Sequence, residues 1–280
     1  METDEELPTG YGPQTPPGDN FLNDFVQGEA DAWAALSRAR GDPVVEDAHL
    51  GIMMADGGSP SVFGNPVVLR RPLRADEWPA AAATMHAFFA SRAGGDFLVF
   101  SAWPTPDLRD LGFGLVGHPP VMERMPGPSG GAAPPVDGLE IRPVADGRDA
   151  AVWERVLVEA YPVPELQPFS PGSLLPAPAL AAPGWHHWVG HLDGEPVATA
   201  SSFVDDRHVR VEFVSARPDR RGRGVGAAMT AAAGDADPAK PAVLIASDLG
   251  QGVYRRLGYR ALARFTLWAG HRGAPAPGTA

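Results

Sequence analysis

Residues 208–233 read HVRVEFVSARPDRRGRGVGAAMTAAA. The order is strand, turn, helix. Residues 208–216 have the pattern of a strand, and Pro218 ends it because proline has no N–H for a ladder. The turn PDRRGRGVG follows, with Gly222, Gly224 and Gly226 alternating with Arg221, Arg223 and Val225, and an alanine-rich helix spans 224–233. Glycines without a Cβ let the backbone come close to a ligand. Their N–H groups and the helix N-terminus make an anion site. Arg217, Arg220, Arg221 and Arg223 add charge-assisted donors. A phosphate or pyrophosphate suits this environment, although a glycine-rich hairpin with no ligand has the same spacing. The usual nucleotide loops do not fit. There is no G-x-x-x-x-G-K-[ST], and the single lysine, Lys240, lies elsewhere.

Outward from this stretch the second half reads as mixed strands and helices. Residues 139–143 suit a strand, and 149–161 a helix with Val152, Trp153, Val156, Leu157 and Ala160 on one face. Residues 162–184 form a long proline-rich irregular loop. Residues 185–191 and 196–204 pair as a hairpin through Asp193-Gly194. A strand at 242–246, a short helix at 251–257 and a final strand at 259–268 complete it. In the first half, residues 21–40 have a helical period stopped by Gly41 and Pro43. Strands are expected at 49–55, 66–69 and 97–101, with a helix from Asp76 to near Gly94. The apolar-poor stretch PGPSGGAAPP (126–135) reads as a linker.

The chain has 280 residues, which suits two domains. There is no Cys, which excludes a disulfide scaffold, thiolate zinc sites and a cysteine nucleophile. No apolar run approaches a membrane span, and the acidic METDEELPTG start is no secretory signal, so a cytoplasmic protein is expected. Residues 1–138 hold 19 acidic and 8 basic residues, whereas 139–280 hold 15 of each. This balance argues against nucleic-acid binding.

Arg221-x-x-Gly224-x-Gly226 resembles the acetyl-CoA loop of the GNAT superfamily of N-acetyltransferases. The preceding strand, Pro218 and the alanine-rich helix agree. Downstream, Val253-Tyr254-Arg255-Arg256-Leu257-Gly258-Tyr259 resembles the family's second signature, at the right distance. The resemblance covers about residues 138–269. It implies an α+β (mixed α/β) fold with a central, mostly antiparallel sheet flanked by helices. The element order of the first half is compatible with a degenerate second copy. The expected plan is therefore a disordered tail at 1–18, a degenerate domain at 19–126, a linker at 127–137, a catalytic domain at 138–269 and a loose tail at 270–280.

The resemblance also implies the site. Arg221, Gly222, Arg223, Gly224, Val225 and Gly226 would hold the CoA pyrophosphate, and Val214, Ser215 and Ala216 would pair with its pantetheine arm. Tyr254 would protonate the departing sulfur. Ser247 stands where the family often has Asn, and would bond a CoA amide or phosphate less well. No motif gives the general base. Glu212 is the candidate, sharing a strand face with Val214, and a solvated strand carboxylate is the equal alternative. Val211 and Phe213 then face the core. His187 and His191 lie about 13 Å apart along a strand, too far to share one metal ion. Trp185, His187 and Trp188 suit the acceptor pocket or the sheet.

The implied function is acetyl (or short acyl) transfer from acetyl-CoA to a small-molecule or peptide amine, by direct attack in a ternary complex. No metal, nucleic acid or membrane partner is expected, and monomer and homodimer stay open. The alternatives are a non-catalytic acyl-CoA sensor and an enzyme taking a larger thiol- or sugar-linked amine, as in mycothiol-type synthesis.

Overall fold

The computed structural model describes residues 21–129, 133, 135–161 and 163–272. The tail expected at 1–18 and all but the first three residues of the one expected at 270–280 lie outside them. In chain order the elements are α1 (Phe21–Arg40), β1 (Val44–Asp47), β2 (Ile52–Ala55), β3 (Pro66–Leu69), α2 (Trp78–Ala90), β4 (Phe97–Ser101), β5 (Phe113–Gly117) and β6 (Pro120–Arg124). Then come β7 (Leu139–Pro143), α3 (Gly147–Ala160), β8 (Trp185–Leu192), β9 (Glu195–Val204), β10 (Val209–Ala216), α4 (Val225–Gly234), β11 (Ala242–Ile245), α5 (Gln251–Arg256), β12 (Arg260–Arg264) and β13 (Thr266–Gly270).

Local chemistry explains most boundaries. At the end of α1, Gly41 takes φ +82°, with Gly41 N–H bonded to Arg38 O and Asp42 N–H to Ser37 O. This is the left-handed glycine cap that stops a helix. Asp146 caps α3, its carboxylate accepting from the N–H groups of Arg148 and Asp149. The β8–β9 hairpin turns through Asp193 and Gly194, both at positive φ as the tight primed turn needs.

The strands form two mixed sheets, in the orders β1-β2-β3-β4-β13-β5 and β12-β6-β11-β10-β9-β8-β7. The two share one plan. β1, β2 and β3 run antiparallel, as do β8, β9 and β10. β3 then pairs parallel with β4 across α2, as β10 does with β11 across α4. A further strand sits between β4 and β5, and likewise between β11 and β12.

That further strand is exchanged. β6 lies in the sequence before the expected linker, yet it pairs with β11 and β12 of the second sheet. β13 comes last, yet it pairs with β4 and β5 of the first. The strand expected at 259–268 is thus two strands in different sheets, separated by the fully buried Phe265. Phe265 N–H bonds Pro119 O, so the two crossings meet. Neither sheet is built from one contiguous stretch. The segment expected as a loose tail from Gly270 is anchored at its start: Arg272 bonds Asp56 (2.8 Å) and the carbonyls of Phe89 and Gly95.

One apolar core runs through both halves. α1 is its axis, with Phe25 and Trp33 packed on Phe265, Phe100 and Phe213. Across this contact Arg210 of β10 meets Glu29 of α1 at 2.9 Å, both side chains 1 % exposed. Arg210 also donates to Phe25 O and lies over the Phe25 ring. Gly28 makes the approach possible, since a Cβ there would stand 2.5 Å from the Arg210 guanidinium. Among the described residues no helix is long and apolar enough to cross a membrane.

Candidate active site

Three departures from regular structure meet along β10. The first is a splay. β10 pairs with β11 only at Val209↔Ala242 and Arg210↔Val243, so its later residues have a free edge on that side. The second is a bulge. Glu212 stands opposite Ser201 and Ser215 opposite Thr199, so β10 spends one residue more than β9. Phe213 takes φ +51° there, and its carbonyl is held by the Thr199 hydroxyl at 2.8 Å. The Thr199 and Ser215 hydroxyls lie 2.7 Å apart.

The bulge breaks the strand's alternation and corrects two expectations. Glu212 shares its face with Ser215, not with Val214, which packs against the core of the second sheet. Phe213 does not face away from Glu212. It packs on Trp33, Trp153 and Trp185, and lines the same cavity as Glu212.

The third departure is the loop. Gly222 (φ +76°) and Gly224 (φ +82°) hold left-handed conformations that favour glycine, and Gly224 opens α4. A Cβ at Gly222 or Gly226 would meet nothing within 4 Å, so the space over the loop is open. Among the described residues, no protein acceptor takes the N–H groups of residues 222–227. These orphan donors at a helix N-terminus fit a pyrophosphate. The arginines divide their work differently from the expectation. Arg221 is spent on structure, donating to Ala216 O (3.2 Å) and Ala160 O (2.8 Å), and so braces the loop on β10 and α3. Arg220 pairs with Glu195 and Arg217 with Asp219. Arg223 is exposed and, among the described residues, unpaired, leaving it to meet an anion. Val225 is a buried anchor of α4.

Tyr254 sits in the middle of α5, its ring over Gly250, where a Cβ would come within 2.5 Å of it. Burial, then Tyr161, Tyr259 and Glu212, hold the phenol above its ordinary ionisation range, so it stays protonated at neutral pH. Ser247 starts this helical turn, its hydroxyl accepting from Gly250 N–H at 3.2 Å. Ser247 also borders the cavity, as do Ile245 and Ala246 of the splayed edge.

The cavity has a volume of about 250 Å³ and lies between the two halves. α1 and the segment around Phe63 give one wall. α3, its C-terminal Tyr161, β10 and the irregular loop after α3 give the others. That loop is pinned, not loose. The buried Glu154 carboxylate accepts from the N–H groups of Gly172, Leu174 and Leu175 (2.5–2.7 Å). Glu212 Oε1 is buried here with no hydrogen-bond partner. Burial raises the Glu212 carboxyl well above the usual range; Glu29 adds to the rise and Arg210 opposes it. His187 also borders the cavity, whereas Trp185 stacks under it and Trp188 packs in the second-sheet core. The sequence gives no reason to single out Tyr161. It follows the last turn of a helix, and only the fold brings it beside Glu212.

The first sheet has no such site. β3 pairs with β4 in regular register from Pro66↔Leu98 to Val68↔Phe100, with neither bulge nor splay. Its loop, RRPLRADE (70–77), has no glycine. Glu77 ties it shut, bonded to Arg71 at 2.8 Å and to Arg74 N–H at 2.7 Å. The Arg71 bond, then the Arg74 amide, hold the Glu77 carboxyl down at about 2.

The splayed strand and the glycine loop that opens α4 are what the resemblance to the GNAT superfamily implies. The comparisons agree. Residues 183–261 match the family model of the acetyltransferase (GNAT) domain. The fold is similar to a GCN5-related N-acetyltransferase from Kribbella flavida, at 22 % identity and TM-score 0.63, over 91 % of this chain and 97 % of that one. A tandem GNAT protein from the clavulanic acid biosynthesis pathway matches at 13 % identity and TM-score 0.53, over 92 % and 97 %. A GCN5-related N-acetyltransferase from Sphaerobacter thermophilus matches at 16 % and 0.51, over 82 % and 76 %. At these identities the likeness is one of fold. No curated protein matches the sequence.

Proposed function

We propose that the protein transfers an acetyl, or another short acyl, group from acetyl-CoA to an amine, by direct attack with both substrates bound. The observation that carries this is the meeting of two features at one point of β10. The splayed edge leads from the orphan N–H groups of residues 222–227 to the cavity that holds Glu212. The N–H groups of the loop and Arg223 hold the pyrophosphate. The free backbone edge of Val214, Ser215 and Ala216 pairs with the amides of the pantetheine arm. A backbone N–H of that edge polarises the thioester carbonyl.

The amine enters from the cavity. Glu212 takes its proton, and the raised affinity of this carboxyl for a proton suits the task. The new N–C bond forms as the C–S bond breaks, and the electron pair leaves on sulfur. Tyr254 gives the sulfur a proton and recovers one from solvent. The first half supplies no second donor site. Its role is to wall the cavity through α1.

Tyr254→Phe tests the assignment. Turnover should fall by about 10²- to 10⁴-fold, the usual worth of a general acid, while acetyl-CoA binding measured by calorimetry stays within a few-fold. A variant with full turnover removes Tyr254 from the mechanism. A wild-type protein that binds acetyl-CoA yet acylates no amine in a broad screen is a binding module instead.

A further inference from the structure

The cavity beside Glu212 constrains the acceptor, an inference that rests on the transfer reading above. Its walls are largely aromatic and aliphatic, including Trp33, Phe63, Phe100, Trp153 and Phe213. At about 250 Å³ it is smaller than the roughly 300–1,000 Å³ of pockets for drug-sized ligands. That size suits a small molecule. Arg40 lines the cavity and Arg210 is paired with the lining residue Glu29, so both guanidinium groups already have carboxylate partners. Arg210 pairs with Glu29 at 2.9 Å, and Arg40 with Asp42 at 3.0 Å. Glu29 also accepts from Trp33 Nε1 at 2.8 Å. Glu212 is the remaining carboxyl, with Oε1 unpartnered. An ammonium group is therefore matched here, and a carboxylate on the acceptor is not.

A second unpartnered group stands in the same row of the sheet. His187 of β8 and Glu212 of β10 are both directly opposite Ser201 of β9. Their backbones are two strand spacings apart, roughly 10 Å. The His187 ring is fixed: Nδ1 lies 2.7 Å from Ser201 Oγ, one face stacks on Trp185, and Trp153 meets it edge-on. Its Nε2 is buried with no hydrogen-bond partner. Burial, then His186, holds the imidazole down at about 4, so it is neutral at pH 7 and recognises no charge.

We propose that the acceptor is a small primary amine with an uncharged, mostly apolar body and one neutral hydrogen-bonding group, and that His187 Nε2 binds that group while Glu212 receives the amine. A hydroxyl fits best. It can donate or accept, and so pairs with either tautomer that Ser201 selects. His187 is then a specificity-determining residue for the transfer.

The test uses the full chain, saturating acetyl-CoA and matched acceptors: 2-phenylethylamine, 2-(4-hydroxyphenyl)ethylamine, and the amino acids phenylalanine and tyrosine. A thermal shift with acetyl-CoA is recorded first for every variant. The hydroxylated amine should have the higher kcat/KM, by about tenfold, the worth of one buried hydrogen bond. The two amino acids should be at least about 100-fold poorer than their amines, since each buries an unpaired carboxylate. His187→Leu should bring the ratio between the two amines to near one. His187→Gln, which restores a hydrogen-bonding group, should recover part of it and serves if the leucine variant does not fold. A merely structural histidine lowers both rates and leaves the ratio intact, which overturns the proposal. So do amino acids, peptides or polyamines that outperform the simple amines. An acetyl-CoA shift with no turnover of either amine sinks this inference and leaves the donor site standing. Loss of the shift itself sinks the transfer reading, and the inference with it.

Discussion

Gly226→Asp separates ligand binding from fold, because the two should move in opposite directions. Gly226 is the second residue of α4, and a Cβ there meets nothing within 4 Å. No packing is lost. Aspartate is a slightly better helix former than glycine, and an acidic group in the first turn is favoured by about 0.3–1 kcal/mol. The apo variant should be as stable as the wild type or up to about 1 kcal/mol more stable. Acetyl-CoA meets the reverse. A carboxylate roughly 5 Å from a bound pyrophosphate repels each unit charge by about 1–3 kcal/mol, for an effective dielectric between those of water and a protein surface. Binding should weaken by at least about 30-fold. Calorimetry reads the dissociation constant, and a thermal melt reads the stability of the same sample. Gly226→Asn, equal in size and uncharged, isolates the charge. The gap between the Asp and Asn variants should shrink as salt rises. An aspartate variant that binds acetyl-CoA within twofold of wild type refutes the loop assignment.

Other outcomes follow from the buried charges. Glu212→Gln should lower kcat/KM by about 10²- to 10⁴-fold. In the wild type the acid limb of the pH profile should lie above the ordinary carboxylate range, because Glu212 must be deprotonated and burial raises its pKa. That limb should vanish in the variant. His187 titrates at about 4 when folded but near 6.5 when unfolded. Between these values the unfolded chain binds more protons. About 3 kcal/mol of stability should therefore be lost as pH falls from 6.5 to 4. Urea midpoints of His187→Gln should be flatter over that window than those of the wild type. Arg210→Met leaves Glu29 buried and unpaired, which should cost about 3–5 kcal/mol in denaturant melts. Adding Glu29→Met should restore most of it.

The glycine loop and the start of α4 could be read from sequence because they rest on local backbone rules. Glycines at 222, 224 and 226, after a strand ended by Pro218, specify an open helix N-terminus wherever the chain folds. The cavity beside Glu212 could not. Whether Glu212 and Phe213 share a face depends on one extra residue in β10, and two-residue periodicity has no sign for a bulge. The motif makes Arg221 a phosphate ligand and has no sign for its carbonyl partners, Ala216 and Ala160, which tertiary structure brings to it. The exchange of β6 and β13 was hidden for a related reason. Strand pattern tells which residues pair, not with which sheet. Tyr161 reaches the cavity only because α3 packs on β9 and β10.

The most direct test of the account is a thermal-shift titration of the full chain with acetyl-CoA, beside ATP and NAD. At about 100 times the dissociation constant, one bound ligand adds roughly 2.7 kcal/mol, or several degrees in Tm for a chain of this size. The account predicts that shift with acetyl-CoA and its loss in Gly226→Asp. Equal shifts with ATP or NAD, or none with acetyl-CoA, would contradict it.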